Sequence, residues 1–224
     1  MHDALANPMW TSLATRHAGF ALGSGALKRF MPDVAPFCAV EHAGAVLDDT
    51  ACLRAGETVY FLGTFPQLPA GWTVEGEYAI LQMVAGAVPP AAAPDASALG
   101  AVDIPDMLAL TALVYPEFFR AHTAALGSYI GCRENGRLAA MAGQRLALPG
   151  YREISAVCTH PEHRGQGHAG RLIGQLARAI VADGEIPFLH VSASNERAWK
   201  LYQDLGFVAS RELPFIKVRI GAAP

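Results

Sequence analysis

Residues 153–170 read EISAVCTHPEHRGQGHAG, an apolar stretch that runs directly into a glycine-rich loop. The stretch Ile154 to Thr159 is typical of a buried strand, and Gly167 to Asp183 has the apolar spacing of an amphipathic helix. The loop between them places several main-chain N–H groups at a helix N-terminus, where the helix itself offers them no partner. Such a loop is suited to a diphosphate, and Arg164 beside it adds positive charge.

The glycines of this loop allow other interpretations. Gly165, Gly167 and Gly170 match G-x-G-x-x-G, the dinucleotide-binding fingerprint. In that fold the strand leads directly into the first glycine, whereas residues 160–164 intervene here, and the next strand, residues 188–195, ends without the carboxylate that would hold a ribose. A Walker phosphate loop is excluded because no Gly-Lys-Ser/Thr follows. A glycine-rich connection without any ligand remains an alternative on the residues alone.

The elements around the loop predict a mixed sheet with helices on its faces. Asn135-Gly136 lies between two apolar stretches, which is the strongest short signal for a β-hairpin. Gly206 is the expected C-terminal cap of the last helix. The predicted elements of this half are helix Met107–Tyr115, strands Ser128–Cys132, Leu138–Leu146 and Ile154–Thr159, helix Gly167–Asp183, strand Phe188–Ser192, helix Asn195–Leu205 and the stretch Phe207–Ile220, which completes the sheet.

The first half of the chain has the pattern of an α+β unit. Its predicted strands are Phe37–Val40, Thr58–Leu62 and Trp72–Val84, and its predicted helix lies around Leu13 to Phe30, interrupted by glycines. Alanine and proline then dominate a segment that is typical of a linker. We therefore expect an N-terminal domain over residues 1–90, a linker over 91–101 and a second domain over 102–224.

Composition narrows the class of protein. Of the 224 residues, 52% are hydrophobic and 17% charged, which excludes disorder as a description of the whole chain. The net charge of -3 provides no general positive field for nucleic acid or an anionic membrane, so neither is expected as a partner. Four cysteines without a C-x-x-C motif and the lack of a signal-peptide pattern favour a cytoplasmic location.

Two blocks of sequence resemble the GNAT superfamily of N-acetyltransferases. Arg164 to Ala169 resembles its R/Q-x-x-G-x-G/A signature, and Asn195 to Phe207, NERAWKLYQDLGF, resembles its N-x-x-A-x-x-L-Y-x-x-x-G-F segment. The resemblance covers Asp103 to Ile220 and implies an α+β fold whose central mixed sheet has splayed fourth and fifth strands. The first half carries no second copy of the loop motif, so only a degenerate relative of the same fold, as in glycine N-acyltransferase-like members, could be argued there.

The resemblance implies acetyl-CoA as cosubstrate, bound in the wedge between the splayed strands. Main-chain groups of the fourth strand would hold the pantetheine arm and polarise the thioester, and the loop would hold the phosphates. An acyl-cysteine at Cys158 is disfavoured, because no His-Asp or His-Asn arrangement accompanies it. Carried over, the strand residues are Val157, Cys158 and Thr159, the loop residues are Arg164, Gly165, Gln166, Gly167, His168 and Ala169, and Asn195 is either a contact to pantetheine or a helix N-cap.

Tyr202 corresponds to the tyrosine that protonates the departing CoA thiolate in this family. Its phenol would be protonated at neutral pH, although its helical spacing with Ala198 and Leu205 equally fits a buried stripe. Attack also requires a base for the amine. Glu153 is the first candidate, since simple alternation places it on the same side of the strand as Val157, and His190 is the second.

Three loop histidines, His160, His163 and His168, raise the question of a metal. No metal is predicted, since no acidic or cysteine partner is expected at ligand spacing.

The overall prediction is transfer of an acetyl group from acetyl-CoA to a primary amine of a small molecule or amino acid, by direct attack in a ternary complex. The variable first helices of the family wall its acceptor site, which here implicates Phe118 and Phe119. The alternative is a non-catalytic sensor or regulatory module that binds CoA.

Overall fold

Strands from both halves of the chain form one mixed sheet. The structure is a computed structural model that describes residues 4–87, 96–114 and 116–221. Its α-helices are α1 (Pro8–Ala14), α2 (Ile104–Val114), α3 (His168–Ala182) and α4 (Glu196–Asp204). Its strands are β1 (Ala21–Leu22), β2 (Leu27–Phe30), β3 (Phe37–Val40), β4 (Thr58–Leu62), β5 (Thr73–Ala85), β6 (Ser97–Leu99), β7 (Tyr129–Glu134), β8 (Arg137–Leu148), β9 (Tyr151–Thr159), β10 (Ile186–Ser192) and β11 (Phe207–Arg219).

The order of the strands interleaves the two halves. Across the described residues it is β1-β2-β3-β4-β11-β5-β10-β9-β8-β7-β6, with parallel pairing at β3/β4 and β9/β10. Strand β5, from the first half, lies between β10 and β11 of the second half. The mixed α+β fold predicted from the sequence is confirmed. The division at residues 90 and 102 stays a prediction, and residues 91–95 of the predicted linker lie outside the described residues.

Local sequence signals predicted several elements well. Strands β3 and β4 have the predicted bounds, and Asn135 and Gly136 have φ angles of 50° and 80°, as a hairpin turn of this type requires. The helix expected around Leu13 to Phe30 is wrong. Helix α1 begins at Pro8, with the Asn7 side chain capping it, and ends at Ala14. The chain then turns at glycines with positive φ and continues as β2, because that segment pairs with β3.

Helices cover both faces of the sheet. On one face, α3 and α4 pack with Leu189 and Val191 of β10, while on the opposite face α1 packs with Phe188 and α2 packs with Cys158. Neighbouring strand residues therefore contribute to different core clusters, as the alternation of a strand requires. None of the helices in the described part of the chain combines the length and apolar character that crossing a membrane would need.

Strands β9 and β10 separate partway along their length. Their pairing runs from Tyr151↔Ile186 to Glu153↔Phe188 and then stops, although β9 continues to Thr159 and β10 continues to Ser192. Ala156, with a φ of 50°, lies at a shift in the pairing register between β8 and β9. Such a bulge bends the strand. The splay expected between the fourth and fifth strands is confirmed.

Buried His17 makes the stability of this fold sensitive to acid. Its Nδ1 lies 3.0 Å from Ser12 Oγ and its Nε2 lies 3.2 Å from the Leu126 carbonyl oxygen. Burial lowers the pKa of His17 from 6.5 to about 4. Between those values the unfolded chain binds a proton that the folded chain rejects, so the free energy of unfolding decreases as the pH falls, by up to about 3 kcal/mol.

Urea unfolding at pH 7.5, 6, 5 and 4.5 measures this dependence. The variant His17→Gln keeps polar atoms in place but does not titrate, so its stability should change less over the same pH range. Equal pH dependence in the two proteins would contradict the assignment to His17.

Candidate active site

A cavity of about 570 Å³ occupies the gap between β9 and β10. Residues 154–157 of β9 and 190–192 of β10 line it. Asn195, Ala198 and Tyr202 line it from the side of α4, while Phe37 and Phe118 line it from the opposite face of the sheet. The cavity therefore connects the two faces of the sheet where the strands have parted.

The glycine loop beside this gap presents main-chain N–H groups. Gly165 and Gly167 have φ angles of 82° and 78°, and Gly167 is the N-cap of α3, with no side-chain cap. Within the described part of the chain, no main-chain N–H of residues 165–170 makes a hydrogen bond. The Arg164 N–H, in contrast, donates to the Pro161 carbonyl at 3.3 Å. Of the loop residues predicted to hold the phosphates, Arg164 therefore has its main-chain N–H bonded within the preceding turn.

Side chains of α3 hold the loop in shape. His168 is buried, and its Nε2 lies 3.2 Å from Gln166 Oε1. Arg171 donates through Nη1 to the Gln166 carbonyl at 2.8 Å, and its Nη2 lies 2.9 Å from His168 Nδ1. Sequence analysis did not single out Arg171. A cation in the first turn of a helix, where the helix dipole disfavours it, is the signal that could have revealed its contacts with the loop.

The predicted binding residues of β9 lie on both faces of the sheet. Val157 lines the cavity and packs with Ile154 on the α3 side. Cys158 packs with α2 on the opposite face, and burial raises its pKa to about 12, so its thiol stays protonated at neutral pH. Cys158 and Thr159 pair with Met141 and Ala140 of β8. Of these three residues, whose main-chain groups are predicted to bind pantetheine, only Val157 is part of the cavity lining.

Helix α4 places Asn195 and Tyr202 on the cavity wall. Asn195 caps the helix, since its side-chain oxygen accepts from the Ala198 N–H at 3.1 Å. Tyr202 is 8% exposed and packs in the α3 and α4 core, with its ring 6.4 Å from that of Phe207. It also lines the cavity. Core packing and access to the site are therefore combined in the same side chain.

A row of buried polar side chains crosses four strands beneath the cavity. The Glu153 carboxylate accepts two hydrogen bonds from Arg145, of 2.9 and 2.7 Å, and lies 2.8 Å from His190 Nδ1. His190 Nε2 lies 3.1 Å from Gln82 Nε2, which also donates to the Leu5 carbonyl. Burial alone would raise the pKa of Glu153, but Arg145 and His190 outweigh it and hold that pKa at about 2.

The expectation that Glu153 and Val157 share one side of β9 is wrong. Glu153 points to Arg145, whose guanidinium lies 4.8 Å over the Phe37 ring on the α1 face, whereas Val157 packs on the α3 face. The bulge at Ala156 shifts the alternation by one residue. Glu153 is fully buried, and of the two candidate bases it is His190 that lines the cavity.

Two further side-chain predictions are corrected. Phe118 lines the cavity, whereas Phe119 packs edge-on against Tyr129 at 5.6 Å, away from its lining. An acidic side chain does lie near the loop histidines, because the short turn Pro161–His163 brings the possible ligand atoms of His160, Glu162 and His163 within 4.8 Å of one another. All three side chains are partly or fully exposed, and His160 Nδ1 already accepts from the Glu162 N–H.

Comparison with known proteins places this geometry in a family. Residues 129–216 match the model of the FR47-like protein family. A crystal structure from Novosphingobium aromaticivorans, described as an acetyltransferase from the GNAT family, shares 36% identity over 99% of this chain and all of its own, with a TM-score of 0.88. A GCN5-related N-acetyltransferase from Kribbella flavida shares the fold, with a TM-score of 0.61, 17% identity and 94% coverage of both chains.

A curated relative matches a shorter region. The L-amino acid N-acyltransferase MnaT of Escherichia coli is 27% identical over 109 residues, which are 46% of this chain and 63% of MnaT. The chain thus matches less than two thirds of that relative's length. The full-length match to the Novosphingobium structure shows that the chain belongs to the GNAT superfamily of acetyltransferases.

Proposed function

We propose that the protein is an N-acetyltransferase that transfers the acetyl group of acetyl-CoA to a primary amine of a small molecule or amino acid. The observation that carries this proposal is the cavity in the gap between β9 and β10, next to a loop with unbonded N–H groups. The family membership of the chain supports acyl transfer. The name of MnaT supports an amine as acceptor.

The described residues offer groups for the pyrophosphate and for the pantetheine arm of acetyl-CoA. The N–H groups of residues 165–170 and the N-terminus of α3 would bind the pyrophosphate, since such groups favour anions. Beyond Glu153, β9 has no pairing with β10, so main-chain groups along that stretch would bind pantetheine and orient the thioester. Asn195 also lines the cavity, from the side of α4.

Transfer then needs two proton movements. The amine nitrogen attacks the thioester carbonyl carbon, the new C–N bond forms, and the C–S bond breaks as the thiolate leaves. Tyr202 donates a proton to that thiolate. We assign to His190 the role of the base that removes the proton of the amine, directly or through water. Its Nε2 would accept this proton once the Gln82 amide no longer contacts it.

Glu153 is better placed to assist His190 than to act as the base itself. A carboxylate whose pKa is about 2 accepts a proton poorly at neutral pH. Because it stays ionised 2.8 Å from His190 Nδ1, it would stabilise the imidazolium that forms. Holding the two reactants in attack geometry can contribute about 7–11 kcal/mol, whereas a general acid or base typically contributes ~10²–10⁴-fold, or about 3–5 kcal/mol.

The alternative function is a module that binds CoA without turnover. An assay of thiol release from acetyl-CoA with and without amines separates the two, because only the enzyme gives amine-dependent release.

All four cysteines are free thiols, which fits a reducing compartment, and we assign the protein to the cytoplasm.

Substitution of Gly167 tests the cofactor cradle, by which we mean the main-chain N–H groups of residues 165–170. Gly167→Ala adds a Cβ at the mouth of the loop, 3.1 Å from Arg171 Nη1, at a φ of 78° that alanine adopts only with strain. We expect the Kd for acetyl-CoA to rise about tenfold, because the N–H groups no longer converge on the anion. Isothermal titration calorimetry measures it.

Gly150 provides a matched control. It has the same φ of 78° in the turn between β8 and β9, with open space around its Cβ position. Gly150→Ala should lower stability by a similar amount and leave the Kd unchanged. Equal Kd values for the two variants would contradict a cofactor cradle at Gly167.

A further inference from the structure

The cavity on the α1 face is walled by aromatic rings. We call this set the aromatic wall: Phe37, Tyr60, Tyr78, Phe118 and Phe215. Tyr60 stacks on Phe215 with ring centres 5.4 Å apart, and Phe37 stacks on Phe118 at 5.7 Å. Phe37 and Tyr60 are buried, whereas Phe118 and Phe215 are half-buried and Tyr78 is exposed. Phe118, Phe215 and Tyr78 therefore each keep part of their surface exposed.

The aromatic wall extends the cavity beyond the end of β10. Ser192, at that end, pairs with Ile80 of β5, and Tyr78 pairs with Phe215 two residues further along β5. Two strand residues correspond to roughly 7 Å. A ring joined to an amine by a short alkyl chain would span that distance, with its nitrogen at the gap between the strands and its ring against the wall.

Charges around the aromatic wall compensate one another. The Tyr60 hydroxyl donates to the Glu117 carboxylate, and Lys217 Nζ lies 3.6 Å from the same carboxylate. Deeper in the cavity, Arg145 is paired with Glu153. Each charged side chain named here thus already has a partner of opposite sign. A ligand carboxylate or a second ammonium group would have to compete for a charge that is already paired, whereas an uncharged ring would not.

We propose that the acceptor is a primary amine carried by a neutral aromatic body, bound against Tyr78, Phe118 and Phe215. This inference rests on the proposed acetyl transfer and narrows its acceptor class. It differs from the L-amino acid in the name of MnaT, because an amino acid would place a carboxylate among groups that are already paired. Aromatic pairs prefer stacked or edge-on contacts, which the rings of the wall offer.

The test compares four amines in the thiol-release assay with the full chain. Phenethylamine should have a kcat/KM at least about tenfold above those of butylamine, diaminobutane and phenylalanine. Butylamine lacks the ring, diaminobutane adds a second ammonium and phenylalanine adds a carboxylate. A higher kcat/KM for any of these three would overturn the inference and leave acetyl transfer intact.

Binding is measured separately from turnover. Saturation-transfer NMR with the protein saturated with CoA should detect phenethylamine through its ring protons. Binding without thiol release would support the aromatic site and overturn the proposed enzyme. Neither binding nor release with phenethylamine would overturn the inference, whatever the other amines do.

Neighbouring phenylalanines supply a matched pair of variants. Phe118→Leu should lower kcat/KM for phenethylamine about tenfold and change that for butylamine by less than about twofold. Phe119→Leu removes a ring that packs on Tyr129 outside the cavity lining, so the ratio between the two amines should not change. An equal loss for both amines in Phe118→Leu would show a structural effect only and would overturn the inference.

Discussion

Replacing Tyr202 with phenylalanine is expected to lower kcat about 100- to 1,000-fold and to leave the Kd for acetyl-CoA unchanged. The substitution removes only the hydroxyl, so the ring keeps its place between the α3 core and Phe207. Without that proton donor, the CoA thiolate must leave as an anion or take a proton from water, and general acid catalysis typically contributes ~10²–10⁴-fold. Steady-state kinetics with an active amine and calorimetric titration of acetyl-CoA measure the two quantities.

Tyr151→Phe is the control for this variant. Tyr151 begins β9, and its ring packs edge-on against Phe188 at 6.4 Å, away from the cavity lining. Loss of its hydroxyl should leave kcat unchanged. Wild-type turnover in Tyr202→Phe would leave the phenol with a packing role alone.

Replacing Glu153 with glutamine is expected to lower the free energy of unfolding by about 3–5 kcal/mol at pH 7. Glu153 is fully buried, and its carboxylate balances Arg145, which is also buried. The substitution removes one charge of a buried pair and weakens the two hydrogen bonds that Arg145 donates, which is the costly case for such pairs. Urea unfolding followed by circular dichroism measures the change.

A double variant and the pH dependence of stability test whether the loss comes from the pair of Glu153 and Arg145. In Glu153→Gln with Arg145→Gln, neither charge remains, so the loss should be smaller than the sum of the two single losses. Because the pKa of Glu153 is lowered from 4.5 to about 2, its stabilisation is present above pH 4.5 and disappears as the pH falls towards 2. Glu153→Gln should lack that acid-dependent loss, and additive single losses would contradict the pairing.

Local patterns in the sequence predicted most elements that surround the loop. Helix α3 lies within one residue of its predicted bounds, and α4 follows the predicted cap at Asn195. Gly206, with a φ of 86°, ends that helix as expected. These signals act over a few residues, through hydrogen bonds to the main chain and the φ angles that only glycine adopts easily. The prediction of a helix around Leu13 to Phe30 was wrong, because residues 27–30 pair with β3 and this pairing outweighs the local pattern.

The sequence by itself determined the strand, the glycine loop and the helix around the proposed anion site, since each depends on neighbouring residues. Tertiary structure alone decided which side chains face the site. The bulge at Ala156 moved Glu153 to the opposite face from Val157. Contact between Gln82 and His190 joins residues 108 positions apart and depends on strand pairing, which no local pattern specifies.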